Sequence, residues 1–461
     1  MTNPNTVLLV AAIASFSTPF MLSAINIALP DISRELKMSA LEMGWISLAF
    51  LVVSTVLLVP LGRAADIYGR KKVFTLGFVI FTAASALCAL AGSALQLIAF
   101  RALQGLGSAM IFGTSIAILT SVYPPSGRGR ALGIVASSVY LGLSLGPFLG
   151  GILAEQLSWR SIFYLNIPLG SAVLWLLFTR IKGEWAGEKN GTFDLKGSLI
   201  YSLSLSALIC GAAYVTAPPG ILLLLAGGAG FTAFFRHETR APHPLLNARL
   251  FLGNRVFAFS SLAALLNYCA SFAIGFLLSL YLQYVKGMSP QQAGFIMVVQ
   301  PVLMTVFSPL AGRLSDRVEP RVVASWGMAL TTAGLLFFSN ISADTPIRVI
   351  LAGLCALGLG LALFSSPNTN AVMGSAEPRT YSLASALLAT MRVGGQMLSM
   401  AVVMLLFSLF IGGDRIGSGN LPQFLRSFRS AICIFSALSF LGIFASLKRG
   451  NVRAREEGIS G

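Results

Sequence analysis

Stretches of about 20 apolar residues recur along the whole chain, and a helix of that length is what crosses the hydrocarbon core of a bilayer. They lie at 6–29, 42–62, 72–92, 95–122, 130–154 and 162–180, then at 195–216, 219–236, 256–284, 291–312, 322–341, 346–373, 381–411 and 424–447. Inside a bilayer no water satisfies the backbone, so each of these fourteen runs must close its own hydrogen bonds as a helix. The predicted fold is an all-α integral membrane protein. The charge content agrees, because 10% of the 461 residues are charged, against roughly a quarter in soluble domains. The first run, Val7 to Leu29, has no basic residue before it and no small-residue cleavage site after it. It is expected to remain as a span rather than be removed as a signal peptide.

The net charge of +16 does not mark a nucleic-acid protein, since the basic residues are scattered through short connections instead of forming one face. Connections on the side of the N-terminus hold about 22 Lys and Arg, and those on the other side about 8. By the positive-inside rule both termini are cytoplasmic, and an even number of spans requires the same. The basic side includes "GRKK" (69–72), "GRGR" (127–130) and "KRGNVRAR" (448–455). Cys88, Cys210, Cys269, Cys355 and Cys433 stand alone in apolar runs and read as small core residues, without metal-ligand spacing. His237 and His243 share one connection and are assigned no chemistry. No cofactor or metal is called for.

An internal repeat organises the chain. "GRAAD" (62–66) recurs 250 residues later as "GRLSD" (312–316), and "RGRALG" (128–133) is followed at nearly the same offset by "RTYSLA" (379–384), with Arg128 matching Arg379. Residues 1–181 then form one six-helix bundle and 251–461 a second with a short basic tail. Residues 182–250 are an inserted two-helix hairpin with its linkers. Parallel repeats of this kind build alternating-access transporters, with the substrate site between the halves near the midplane. A sensor reading is disfavoured by the short tail after Leu447, and an enzyme reading by the lack of a nucleophile–base pair or cofactor loop.

Arg392 lies about 16 Å along its helix from Tyr381, close to the midplane. Ser385, Ala389, Arg392, Gln396 and Ser399 follow helical spacing as one small or polar stripe. Two readings are open: a functional charge facing a cavity, or a structural arginine bonded to backbone carbonyls. Arg101 sits about 9 Å into its span, on one face with Gln104, Gly105, Ser108 and Ser115. It either snorkels to the outer surface or faces the cavity. Ser23, Asn26, Asn267 and Gln300 are neutral groups near mid-span that suit the polar part of a mainly apolar pocket. "SSPNTN" (365–370) reads as a proline-broken helix end.

"GRAADIYGRKKVF" (62–74) resembles the signature loop of the major facilitator superfamily, G-x-L-a-D-r-x-G-R-K, departing from it at Ala64 and Ile67. "RALQGLG" (101–107) is similar to the R-x-x-Q-G-x-G motif of its drug-exporting branches, and "GLSLGPFLGG" (142–151) to the antiporter motif G-x-x-x-G-P-x-x-G-G. "WRSIFYLNIPLG" (159–170), "HPLLNARLF" (243–251) and "YLQYVKGMSPQQAG" (281–294) resemble the fourteen-helix drug:proton antiporter branch. The resemblance implies two six-helix bundles plus two inserted helices in a prokaryotic cytoplasmic membrane. It also implies a signature loop of Gly62, Arg63, Asp66, Gly69, Arg70 and Lys71 that locks the cytoplasmic faces together, echoed by Asp316 and Arg317 with Arg313. Gly142, Gly146 and Gly150, at four-residue spacing, make a ridge for close helix contact, with Pro147 bending it.

Cation exporters of this branch usually carry an aspartate in span 1, in l-D-x-T-x-x-N-x-A-L-P. Here "FMLSAINIALP" (20–30) has Met21 at that position and Ser23 in place of the threonine. All 16 acidic residues fall at span ends or in connections. The expectation is a secondary transporter, functional as a monomer, that exports small amphipathic compounds with the proton as coupling ion. The alternative is an anionic or neutral substrate held in a cavity made electropositive by Arg392, with or without Arg101. For the cationic reading, Asp31 or Asp66 would handle the proton.

Overall fold

The computed structural model describes residues 3–123, 125–185, 193–215, 218–240, 254–375 and 381–450. Several sequence-derived features fall outside them or outside the side chains described: Arg128 and Arg379 of the second repeat pair, the Asp316 and Ser385 side chains, the whole of 243–251 with His243, and the tail from 451.

Sixteen helices account for the expected spans: α1 (Pro4–Leu36), α2 (Ala40–Tyr68), α3 (Arg70–Ala89), α4 (Ala94–Val122) and α5 (Pro125–Gln156), with span 6 broken into α6 (Arg160–Tyr164) and α7 (Asn166–Thr179). The hairpin is α8 (Leu195–Ala213) and α9 (Pro218–Glu238). The second half is α10 (Arg255–Leu280), a span broken into α11 (Pro290–Met297) and α12 (Val299–Arg317), then α13 (Pro320–Leu336), α14 (Ile347–Gly374), α15 (Tyr381–Phe410) and α16 (Leu421–Lys448). Among the described residues, 13 helical segments are long and apolar enough to cross a membrane, and the remaining expected span is the 17-residue α13. No strand occurs among the described residues.

Local sequence sets the helix starts. Ser39 and Glu42 form a capping box on α2, Ser289 and Gln292 another on α11, and Asp194 caps α8 through the Gly197 N–H at 2.8 Å. His237, at the end of α9, meets Asp194 at 2.8 Å and ties the base of the hairpin.

Prolines inside the spans leave carbonyls for tertiary use. A proline has no N–H, so the carbonyl four residues before it loses its helical donor, and in a bilayer that acceptor must be satisfied otherwise. Pro147 frees Leu143 O, which accepts from Ser23 Oγ at 3.3 Å. Pro30 frees Asn26 O, which accepts from Ser279 Oγ of the second half at 2.5 Å. Pro60 frees Val56 O, which accepts a long bond of 3.5 Å from Ser202 of the hairpin. In each case the donor is a serine on another helix.

Within the first half α1 packs on α5, and α4 on α2 and α3; within the second, α14 packs on α12 and α13, and α10 on α15 and α16. The halves meet along two seams, α2 with α15 and α5 with α11 and α12, and at a smaller contact of α1 with α10. Close backbone approach fixes the first half, because a Cβ on Gly142, Gly146 or Gly150 would lie 2.5–2.9 Å from Phe16 O, Ser23 Cβ or Ala24 Cα of α1.

Candidate functional site

The bonds between halves gather at the end of the molecule away from the 62–72 loop. Ser279 Oγ and Gln283 Nε2 donate to Asn26 O and Ile27 O, at 2.5 and 2.9 Å. Ala40 N donates to Asp414 O at 3.0 Å, and Gln291 N to Glu155 Oε2 at 2.9 Å. Glycines let the backbones touch there, since a Cβ on Gly294 would sit 2.3 Å from Pro147 O and one on Gly151 2.6 Å from Pro290 O. Gly44 faces Met404 with no room for a Cβ. This end is sealed. Replacing Ser279 by alanine removes one neutral hydrogen bond between the halves, worth about 1 kcal/mol. Roughly a five-fold shift toward opening of the sealed end is therefore expected, read as faster labelling of a cysteine placed at Ile27.

Near mid-span the halves are joined by hydroxyls. Ser144 of α5 meets Thr305 of α12 at 3.1 Å, and Tyr140 of α5 meets Ser365 of α14 at 3.0 Å. Ser365 also meets the Tyr268 hydroxyl of α10 at 3.2 Å. The Arg392 guanidinium lies over the Tyr268 ring, 5.1 Å from its centroid, in cation–π contact. Its ionisable neighbours are the phenols of Tyr268 and Tyr140, with no carboxylate among them, and Arg392 Nε has no hydrogen-bond partner. A charge near the centre of a bilayer costs about 3 kcal/mol, and here the groups that stand against the guanidinium are phenols and hydroxyls. The arrangement is therefore a cation with free hydrogen-bonding capacity, facing a row of hydroxyls from both halves. Such a group is complementary to a carboxylate, sulfonate or phenolate, or to a neutral carbonyl-rich compound.

The expected cavity residues divide. Gln396 and Gln300 are half-buried, on the helices that carry Arg392 and Thr305. Ser23 is bound to Leu143 O inside the α1–α5 contact. Asn26 belongs to the sealed end, where its side chain accepts from Ser47 Oγ at 3.2 Å. Asn267 is 0% exposed, and both ends of its amide lack partners.

Arg101 neither snorkels outward nor joins Arg392. It is 0% exposed, donates to Ile46 O at 3.1 Å and to Gln104 Oε1, and lies 4.5 Å from the Phe50 ring centroid. Gln104 in turn donates to Ser85 Oγ at 2.7 Å. All these partners belong to α2, α3 and α4. The physical reason is that a guanidinium held between three helices finds carbonyl, amide and ring partners within one turn, closer than either the surface or the space between halves.

The loop at 62–72 also departs from expectation. Asp66 Oδ1 pairs with Arg70 at 2.7 Å, and Arg70 NH1 reaches Ser121 Oγ at 2.9 Å. Arg70 N donates to Trp185 O at 2.9 Å, while Lys71 N donates to Glu184 Oε1 at 2.7 Å and Lys71 Nζ to Ile181 O at 2.5 Å. Gly69 has φ +116°, and a Cβ there would meet Glu184 Cδ at 2.6 Å. These bonds tie together helix ends of the first half and the segment after α7, and none of them reaches the second half. Gly62 packs toward Gly113, and Arg63 is half-buried. In the second copy Arg313 and Arg317 are exposed, while Asn370 donates to Ser315 Oγ at 2.8 Å.

Sequence reasoning missed Tyr140, Tyr268 and Ser365 at the centre, and Gly151, Glu155 and Gly294 at the seal. The second glycine of "GG" at 150–151 is the signal that was there to read, because it points about 100° away from the α1-facing ridge.

Comparison with known proteins follows the same lines. A family model described as Major Facilitator Superfamily matches residues 11–237 and 260–459. The chain is 30% identical over 434 residues to the riboflavin transporter RibZ of Clostridioides difficile, covering 94% of this chain and 93% of that one. It is 30% identical over 431 residues to the tetracenomycin C resistance and export protein of Streptomyces glaucescens, covering 90% and 79%. Its fold is similar to that of an inward-facing, unoccupied bacterial homologue of the human lysosomal transporter Spinster, with TM-score 0.64 and 17% identity over 97% of this chain and 98% of that one.

Proposed function

Because this chain belongs to the major facilitator superfamily, whose members are transporters and not enzymes, we propose that it exports small amphipathic compounds from a prokaryotic cell by proton-coupled alternating access. The names of its relatives support export, since they include an antibiotic export protein. The distribution of Lys and Arg supports a cytoplasmic position for both termini and for the 62–72 loop. The structure then corresponds to a cytoplasm-open state, sealed outside. One chain holds both halves, which supports a monomer as the working unit.

One observation carries the reading of the site. Arg392 lies between the halves at mid-span with a free Nε and no carboxylate neighbour. It favours anionic or neutral amphipathic substrates, with the substrate supplying the missing counter-charge. A cation would meet only repulsion there, because no acidic residue lies at mid-span to receive it.

The test uses purified protein in sealed liposomes containing a pH-sensitive dye. Matched panels of lipophilic cations, anions and neutral compounds are added across an imposed pH gradient. Proton flux with anions or neutrals is the expected result, and flux with cations alone would sink the Arg392 reading. In the same assay Asp66→Asn is expected to slow turnover several-fold without changing apparent affinity. The mutation weakens the Asp66–Arg70 pair, which orders the loop inside the first half, and leaves the site intact. Unchanged turnover would remove Asp66 from the gating scheme.

A further inference from the structure

The two hydroxyl bridges between the halves differ in how their protons are used. A hydroxyl has one proton to donate and lone pairs that accept. Thr305 Oγ1 donates its proton to Pro301 O at 2.9 Å, so in the Ser144–Thr305 pair the serine is the donor. Two protons make two bonds, and that bridge is complete. The other row holds three hydroxyls, on Tyr140, Ser365 and Tyr268, joined by bonds of 3.0 and 3.2 Å. Three protons serve two bonds, so one O–H is uncommitted whichever way the row is directed.

Arg392 adds to this surplus. Its Nε–H is buried without a partner, and its guanidinium lies over the ring of Tyr268, whose hydroxyl ends the row. Unpartnered nitrogens alone do not set it apart, because Arg101 and Arg449 have them too. Those two are held by carbonyl and amide oxygens, Arg101 by Ile46 O and Gln104 Oε1, and Arg449 by Asn368 Oδ1 at 3.0 Å. The titratable groups that face Arg392 are the phenols of Tyr268 on α10 and Tyr140 on α5. The centre thus combines a positive charge with more donors than bonds. A buried charge is ordinarily paired, and here the missing partner is an acceptor.

We propose that Arg392 and the Tyr140–Ser365–Tyr268 row hold a small acceptor-only anion, chloride, which the substrate displaces. This rests on the reading that Arg392 receives the negative end of the substrate. A halide accepts hydrogen bonds from every side and donates none, so it uses the uncommitted O–H and the Nε–H together. Bicarbonate or a protonated phosphate would bring further donors to a centre already rich in them. Size points the same way. Tyr140 and Ser144 stand within hydrogen-bonding distance of Ser365 and Thr305 of the second half. An organic substrate must part the Tyr140–Ser365 bridge to reach the guanidinium, whereas a single-atom anion need not. The ion neutralises a charge that lipid surroundings penalise. It also turns substrate binding into an exchange, one anion entering as another leaves, with the charge of the centre unchanged.

The test uses the full-length protein in lipid nanodiscs, with chloride replacing gluconate at constant ionic strength. Melting temperature is recorded along the series, together with the apparent affinity for an anionic amphipathic dye. A ligand that binds only the folded state raises the melting temperature with the logarithm of its concentration. The parent is expected to show that rise, with bromide acting like chloride, and Arg392→Gln to show none. Tyr268→Phe keeps the ring under the guanidinium and loses the hydroxyl, so it should need roughly ten-fold more chloride for the same rise. The apparent Kd of the dye should grow in proportion to chloride above the chloride Kd. No rise in the parent would overturn the proposal. Equal rises in the parent and Arg392→Gln would do the same and mark an adventitious ion only. If Arg392→Gln does not fold, a Tyr268→Phe curve identical to that of the parent overturns it instead. Dye binding indifferent to chloride would show that the two do not share a site. Dye binding that needs Arg392, with no chloride response, refutes the halide alone and leaves the substrate reading in place. Absence of dye binding in gluconate refutes the substrate reading, and the melting series still decides the halide.

Discussion

Replacing Arg392 by glutamine is expected to lower the affinity for an anionic amphipathic substrate by roughly 30-fold or more. Removing one partner of a buried charge pair costs about 2–5 kcal/mol, and 2 kcal/mol is already close to that factor. Arg392→Lys should fall between, since an ammonium keeps the charge and loses the planar fork. Stability separates this from a structural role. In the ligand-free protein the Arg392 Nε has no partner and no carboxylate stands beside the guanidinium, so glutamine removes a burial penalty instead of breaking a pair. The variant is expected to melt at the same temperature as the parent or higher, while anion-driven proton flux disappears. If flux survives, the counter-charge argument fails. If stability and flux fall together, Arg392 is a structural residue held by Tyr268.

A side chain at Gly294 or Gly151 is expected to prevent the far end from sealing. Both glycines sit against backbone, Pro147 O at 2.3 Å and Pro290 O at 2.6 Å from the virtual Cβ, so the neighbour cannot swing aside as a flexible side chain would. Overpacking of this kind typically costs about 1–3 kcal/mol, and the penalty applies only to the sealed state. Gly294→Val should therefore shift the population toward the state open at that end by roughly five- to 150-fold. Spin-label distances between α5 and α11 would register the change, and transport would drop because the protein returns less often to the state shown here. Gly133→Val, on the same stripe of α5 with open space around it, should leave the distances unchanged. Identical behaviour of the two variants would mean that the Gly151–Gly294 contact does not hold the seal.

The glycine ridge shows how much of this was legible. Four-residue spacing placed Gly142, Gly146 and Gly150 on one helix face, and that face lies on α1. The same motif held a second face, Pro147 and Gly151, which meets the other half of the molecule. A ridge can be read from one helix alone, but which neighbour it meets cannot. The prolines were half legible in the same sense. Pro30, Pro60 and Pro147 announce which carbonyls are freed, whereas the serines that answer them, Ser279, Ser202 and Ser23, lie on other helices and stand out from no other serine in an apolar run.

The sequence by itself determined the helices and the spans they make, because lipid imposes those through span length and backbone hydrogen bonding, which are local requirements. Only the tertiary structure decided where each polar side chain finds its partner. Arg101 and Arg392 look alike in their spans, yet one is enclosed by α2, α3 and α4 and the other faces Tyr268 and Tyr140 between the halves. In a bilayer helices associate by close packing and a few interhelical hydrogen bonds, not by a general hydrophobic drive. The rotation of each helix about its own axis therefore follows from contacts among residues far apart in the chain, and that rotation separates an arginine enclosed within one half from one set against phenols of both halves.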